Sequence, residues 1–369
     1  MKRVVTNRIS KSCRVVLDIT VEICARNAPL NRIFQHPARI PILTEARRMT
    51  LHISEAEVQQ VLTMPMALEA VEEISRKQAA DEVIVHPRRR FELPSGGFFH
   101  YMAAVDYSAG FLAMKQYTFV RGKMRFLVPL YEITSGDLLA MIEADYMGQL
   151  RTGAASGVAT KYLARRDASV AAIIGTGGQA RTQLEAIAAV RKLSVARVYG
   201  RNADRRKRFA DEMSQRIGVP VEPANSSSDA AHGAHIICTA TTASQPVLSG
   251  ADLASGMHIN AIGANHAHKR ELDEEAVASA DVIVVDSIEQ SRQEAGDLII
   301  AFKGDEICWT GVKKLSDVVA GKVSGRTSDT EVTLFKSNGI ASWDLAVAMR
   351  VYALAKEKGL GRSLPFWPE

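Results

Sequence analysis

Two rhythms of apolar positions divide the chain. From Thr50 onward Val58, Val61, Leu62, Met66, Leu68, Val71 and Ile74 recur at roughly helical spacing. Ser54 stands three residues ahead of Glu57, the spacing of a capping box, so the reading from Thr50 is helical. After Pro87 the pattern changes to strands over Phe98–Val105, Phe111–Val120 and Met124–Ile133. Turn signals separate them: Pro94-Ser95-Gly96-Gly97, Ser108-Ala109-Gly110 and Arg121-Gly122-Lys123. Sequential strands with short connections predict an antiparallel or mixed sheet in a unit of about residues 50–145.

Beyond an alanine-rich helix over 145–165 the second rhythm begins. Short, nearly all-apolar strands at Val170–Ile174, Val195–Tyr199, Ile236–Ala240, His258–Ile262 and Val282–Val285 alternate with helices, among them Ala203–Ile217. Such alternation predicts a parallel sheet covered on both faces, over about 150–330. The tail Trp343–Lys358 returns to helical spacing and is free to pack back on the first unit.

Composition changes this picture little and charge changes it more. With 47% apolar and 24% charged residues the chain is of ordinary globular type. Its net charge of +5 is uneven. Residues 1–48 hold ten Lys or Arg against three Asp or Glu, and the rest is slightly acidic. The main body therefore carries no basic footprint for nucleic acid. The basic segment lacks the apolar core of a secretory signal, and no stretch approaches the ~20 apolar residues of a membrane span. Regular patterning begins at Met49, so residues 1–48 are expected to be a dispensable basic extension. Cys13, Cys24, Cys238 and Cys308 form no Cys-x-x-Cys pair. No metal site is expected, and the thiols fit a reducing, cytoplasmic setting.

The strongest chemical signal is Gly175-Thr176-Gly177-Gly178-Gln179-Ala180, set between the strand Val170–Ile174 and a helix. This is the Gly-x-Gly-x-x-Ala form of the dinucleotide fingerprint. Gly175 permits the tight turn and Gly177 lets the backbone approach a pyrophosphate. Ala180 allows close helix–strand packing, and the helix N-terminus faces the anion. At the end of the next strand an acid would bind the ribose of NAD. Here Arg201 and Asn202 stand instead, with Arg205 beyond, so NADP(H) is favoured and NAD(H) remains admissible.

Several motifs in order resemble the ornithine cyclodeaminase and mu-crystallin family. They are Pro87-x-Arg89 with Met102 and Lys115, Leu150-Arg151-Thr152-Gly153-Ala154, and the glycine turn. Thr239-Ala240-Thr241-Thr242, His258–Gly263 and Phe335-Lys336-Ser337-Asn338-Gly339 follow. The resemblance implies an α/β fold: a Rossmann-type dinucleotide-binding domain over 151–342 plus a mixed α/β substrate and dimerisation domain. The second would be built from both chain ends, 49–150 and 343–369, and the protein would be a homodimer. It also implies hydride exchange between a nicotinamide and the α-carbon of a small amino or imino acid. Residue by residue, it places Arg89 and Lys115 on the substrate carboxylate, with Lys115 also able to act on the α-nitrogen. Arg151 falls between carboxylate and pyrophosphate. Thr152, Thr239, Ala240, Thr241, Ile262 and Gly263 join the cofactor site.

The departure is Asn265, where the cyclodeaminases and the alanine dehydrogenase branch carry an aspartate. Asparagine cannot act as a general base near neutral pH. The favoured reading is an NAD(P)H-dependent oxidoreductase reducing a cyclic ketimine such as pyrroline- or piperideine-2-carboxylate. Ornithine cyclodeaminase, an alanine or amino-acid dehydrogenase and an NADPH-gated small-molecule binding protein are the alternatives. His266 and His268 could replace the missing acid. Phe99, His100, Met102 and Trp343 are candidates for the pocket that sets specificity.

Overall fold

The computed structural model describes residues 49–94 and 96–366. The expected extension over 1–48, with Cys13 and Cys24, lies outside the described residues. The first sheet contains β1 (Thr50–Ile53), β2 (Val83–Glu92), β3 (Phe98–Asp106), β4 (Phe111–Val120), β5 (Lys123–Glu132) and β6 (Leu138–Glu143). β2 to β6 form an antiparallel meander, and β1 pairs parallel to β6. Side chains alternate across it: His100, Met102 and Ala104 of β3 and Ala113, Lys115 and Tyr117 of β4 all turn inward.

Two expectations are corrected here. Thr50–Ile53 is a strand, and the helix begins only at Glu55, where Ser54 and Glu57 do close a capping box. The apolar period could not separate a four-residue buried strand from the helix that follows it. Strand structure also starts before Pro87, at Val83. β2 accommodates the proline by a register shift between His86 and Arg89, since proline donates no ladder hydrogen bond.

The second sheet is wholly parallel. Its strands are β7 (Val170–Ile174), β8 (Val195–Tyr199), β9 (Val221–Pro223), β10 (Ile236–Thr239), β11 (His258–Ala261), β12 (Val282–Val285), β13 (Lys313–Lys314) and β14 (Thr333–Lys336). Their order is β13-β12-β14-β11-β10-β7-β8-β9. β7 has β8 on one side and β10 on the other, so the winding reverses there, where open α/β sheets bind ligands.

The helix Asp145–Leu163 links the sheets and is buried along most of its length. Small residues make that packing feasible. A Cβ added at Gly153 would overlap Thr182, and one at Gly157 would meet Leu68 and Ala186. The C-terminal helix Ala341–Glu357 leaves the parallel sheet and returns to the first sheet. There a last strand, β15 (Arg362–Leu364), pairs antiparallel with β1. No helix among the described residues is long and apolar enough to cross a membrane.

Candidate active site

A cleft of about 370 Å³ opens between the inner face of β3–β5 and the carboxyl ends of the parallel strands. Met102, Lys115, Tyr117, Met124 and Phe126 line one wall; Gly177, Gly178, Ala240, Thr241, Ile262, Gly263 and Asn265 line the other. Arg151 and Thr152 of the linking helix form its floor with Ser337–Gly339, which follow β14. The size suits a small ligand.

The glycine turn is built to admit a backbone-bound anion. Gly175 sits at φ +130°, a conformation L-residues rarely adopt, and an added Cβ would strike the Ala240 carbonyl. It thus lets the ends of β7 and β10 touch. An added Cβ at Gly177 would meet nothing within 4 Å, so the turn stays open there. The helix Gly178–Val190 that begins here has no side-chain cap, which leaves its first N–H groups available. Ala180 is fully buried, and Gln179 keeps a buried Oε1 without a partner among the described residues. These features fit a dinucleotide pyrophosphate. Thr176 packs against Gly200 at the end of β8.

Of the other expected cofactor residues, Ala240, Thr241, Ile262, Gly263 and Thr152 border the cleft. Thr239 does not. Its side chain is fully buried and its hydroxyl donates to Glu271 (2.9 Å). Arg201, Asn202 and Arg205 are exposed beyond β8. Asn202 is the N-cap of the next helix, accepting from the Arg205 backbone N–H (2.8 Å). Arg206, which sequence reasoning left aside, donates to the Gly200 carbonyl (2.8 Å) and lies over the Tyr199 ring.

The cations converge on one carboxylate that the sequence reading did not single out. Lys115 Nζ and Arg151 Nε both donate to Asp344 Oδ1, each at 3.0 Å. Burial, with Arg151 beside it, pulls the Lys115 ammonium down to about 8. Gly148 makes room for this lysine: a Cβ there would lie 2.9 Å from Nζ. Asp344 stands in the first turn of the C-terminal helix, where an acid also complements the helix dipole, and that ordinary explanation hides its task in the sequence.

Of the three consecutive arginines it is Arg88, and not the expected Arg89, that the structure brings to the cleft. Arg89 is exposed and absent from the cleft, whereas Arg88 is buried and lines it. The register shift at Pro87 is the reason, because one residue of slip exchanges the faces of a strand. Arg88 reaches across the cleft to Glu294 (2.8 Å) and the Asn338 carbonyl (2.7 Å), keeping a buried Nε without a partner among the described residues.

Asn265 borders the cleft with its amide oxygen engaged. His266 Nε2 accepts from Arg90 (2.6 Å), so Nδ1 carries the proton and donates to Asn265 Oδ1 (2.9 Å). Asn265 is left to offer its NH₂ group. Burial and Arg90 push His266 down to about 4, so it is neutral, and neither it nor the exposed His268 lines the cleft.

Of the four specificity candidates Met102 alone lines the cleft. Trp343 is core, and Phe99 is half-buried on the other face of β3. His100 lies beneath the wall, 2.6 Å from the Tyr117 hydroxyl, and burial with Arg88 and Arg90 keeps it neutral, near 3. Tyr117, Met124 and Phe126 were missed because alternate positions on three strands become neighbours only through the pairing register. Glu271 was missed as well. This buried acid accepts from Thr239, Thr241 and the Gly263 N–H, and so ties together the loops after β10 and β11.

The model of the ornithine cyclodeaminase/mu-crystallin family matches residues 48–359. A Delta(1)-pyrroline-2-carboxylate reductase from Bacillus cereus is 38% identical over 241 residues, covering 65% of this chain and 74% of the relative. An alanine dehydrogenase from Archaeoglobus fulgidus is 34% identical over 327 residues, covering 86% and 99%. The solved Thermococcus litoralis Delta(1)-pyrroline-2-carboxylate reductase, in complex with NADH and L-proline, superposes with a TM-score of 0.82 at 36% identity. That match covers 85% of this chain and all of the other.

Proposed function

This chain belongs to the ornithine cyclodeaminase/mu-crystallin family, and we propose that it reduces the C=N bond of a cyclic imino monocarboxylate such as pyrroline- or piperideine-2-carboxylate. The observation that carries the reading is convergence. A buried lysine and two arginines face the same cleft as an open glycine turn at a helix N-terminus. Gly175–Ala180 and the loops after β10 and β11 would hold a reduced nicotinamide, which would supply the hydride.

The chain's own residues do the rest. Arg151, with a buried Nη1 that has no partner among the described residues, offers a donor to the substrate carboxylate, as does Arg88 through Nε. Their positions are fixed before substrate arrives, so little reorganisation is required. Lys115 gives a proton to the imine nitrogen. Asn265 donates a hydrogen bond and accepts no proton. Around Lys115 the rest of that cleft wall, Met102, Tyr117, Met124 and Phe126, is uncharged, which suits a ring of CH₂ groups.

The test follows NADPH and NADH oxidation against both cyclic ketimines, with ornithine plus NAD⁺ as the contrast. Ketimine-dependent oxidation without ammonia release from ornithine is expected. Ammonia release from ornithine, with inert ketimines, overturns the reading in favour of the cyclodeaminase. Reductive amination of a 2-oxo acid is a second reading, favoured by the nearly full-length match to an alanine dehydrogenase. It predicts oxidation that requires added ammonium.

We further propose that the cofactor is NADPH, on the ground that exposed Arg201, and no acid, follows β8. Arg201→Ala should weaken NADPH roughly ten- to hundredfold, the ~1.5–3 kcal/mol of a charge-assisted hydrogen bond. Titration with each cofactor checks it: NADH should be nearly unaffected, and equal losses would make Arg201 structural.

A further inference from the structure

Asp344 is absent from the cleft lining, yet among the described residues it is the only acid bonded to either Lys115 or Arg151, two cations that line the cleft. Its side chain and those of Lys115 and Arg151 are each no more than 6% exposed. We propose that Asp344 is a positioning residue for the reduction: by dividing one carboxylate oxygen between Lys115 and Arg151, it keeps the lysine ammonium charged and directed at the substrate nitrogen. The chemical part of this claim rests on the reductase reading; the electrostatic part does not.

The need for it follows from charge and burial. Two buried cations side by side repel, and burial alone already favours the neutral amine. The charged groups acting on Lys115 are Arg151 on the linking helix, Asp344 on the C-terminal helix and Arg88 on β2, and Tyr117 of β4 and Asp145 of the linking helix line the same cleft. Phe126 of β5 holds its ring centroid 5.4 Å from Nζ. Arg151 and Arg88 both push Lys115 towards the neutral form, and Asp344 opposes them.

A neutral Lys115 could not take part in the reduction. In that step the Nζ–H bond breaks with its electron pair staying on Nζ. An N–H bond forms on the substrate nitrogen, and the C=N carbon would take the hydride that a bound reduced nicotinamide would supply. The free amine then regains a proton from water. Asp344 also accounts for how Arg151 is presented. Holding Nε fixes the plane of the guanidinium and leaves Nη1 unspent for an incoming carboxylate. Two cations and one anion leave this trio with a single positive charge, the complement of a monocarboxylate.

The experiment measures how fast an amine-directed acylating reagent modifies Lys115 across pH, read by mass spectrometry of its peptide. Only the neutral amine reacts, so the midpoint reports its charge without any turnover. The wild-type midpoint should lie near 8. Asp344→Asn should move it lower by at least about one pH unit, and Arg151→Gln should move it higher. Asp344→Glu should return it towards the wild type. The basic limb of kcat/KM for ketimine reduction should follow in the same directions. A midpoint unmoved or raised in Asp344→Asn overturns the proposal. If that variant fails to fold, an unmoved midpoint in Arg151→Gln overturns it equally. Shifted labelling with no ketimine turnover in the wild type would sink the reductase reading and leave the Asp344–Lys115 coupling intact.

Discussion

The three consecutive arginines of β2 illustrate how one residue of register decides which side chain reaches the cleft. Their spacing to Met102 points to Arg89, but the ladder puts the shift between His86 and Arg89, and Arg88 turns inward. Arg90 lies over the Phe98 ring and bonds His266, so each of the three has a different setting. Arg88→Ala should lower kcat/KM by ~10²-fold, the usual effect of losing a group that fixes substrate geometry. It should also lower the thermal midpoint, because it strips a partner from Glu294, whose carboxyl burial already drives upward. Arg89→Ala should change stability by no more than ~0.5 kcal/mol, as an exposed substitution does, and leave turnover alone. Parallel kinetics and melting curves on the two variants decide it; a larger kinetic loss from Arg89→Ala would return the role to that residue.

At the scale of elements the glycine turn makes the sharpest demand. It combines a φ of +130° with contact between the end of β7 and the Ala240 carbonyl. Gly175→Ala should therefore cost ~1–3 kcal/mol of backbone strain and push the loop after β10 outward. Cofactor affinity should fall at least tenfold, as titration by nicotinamide fluorescence would register. Wild-type affinity in this variant would mean that the turn does not hold the pyrophosphate. This element was legible because each of its letters answers to one steric constraint. The parallel strands were legible for a similar reason: buried on both faces, they are nearly pure apolar runs between helices. Short strands were not. Thr50–Ile53 merges into the helical period of its neighbour, and Thr333–Lys336 carries a fully buried lysine that is paired with Asp297, 3.0 Å away, and bonded to the Ala264 carbonyl. The site divided the same way. Residues whose type is itself unusual, such as Lys115 in an apolar strand, were visible. Asp344, Glu271 and Arg88 owe their roles to contacts with residues distant in sequence.

The whole molecule joins its two sheets through packing rather than through a hinge. Ile53 and Val71, then Met147, Leu150 and Ala155 of the linking helix, and Ile173, Val198 and Ile236 of the parallel sheet belong to one continuous buried cluster. A second cluster, with Ile237, Ile259 and Leu334, covers the opposite face of the parallel sheet. The Arg88–Glu294 pair adds a polar tie from β2 to the helix Ile288–Glu294. Neither sheet can unfold without exposing apolar surface of the linking helix, so residues 49–366 should melt as one cooperative unit. Cofactor binding then has a consequence that a two-module molecule would not show. A ligand that contacts mainly the parallel half should stabilise the antiparallel half as well, by ~2.7 kcal/mol at about a hundredfold excess over Kd. In calorimetry a single transition should move upward by several degrees with NADPH present. Emission from Trp343→Phe and Trp309→Phe variants should shift together, since Trp309 belongs to the cluster of the parallel half and Trp343 to the helix that returns to the first sheet. Two transitions, with NADPH moving only the one seen by Trp309, would show that the continuous core does not couple the halves.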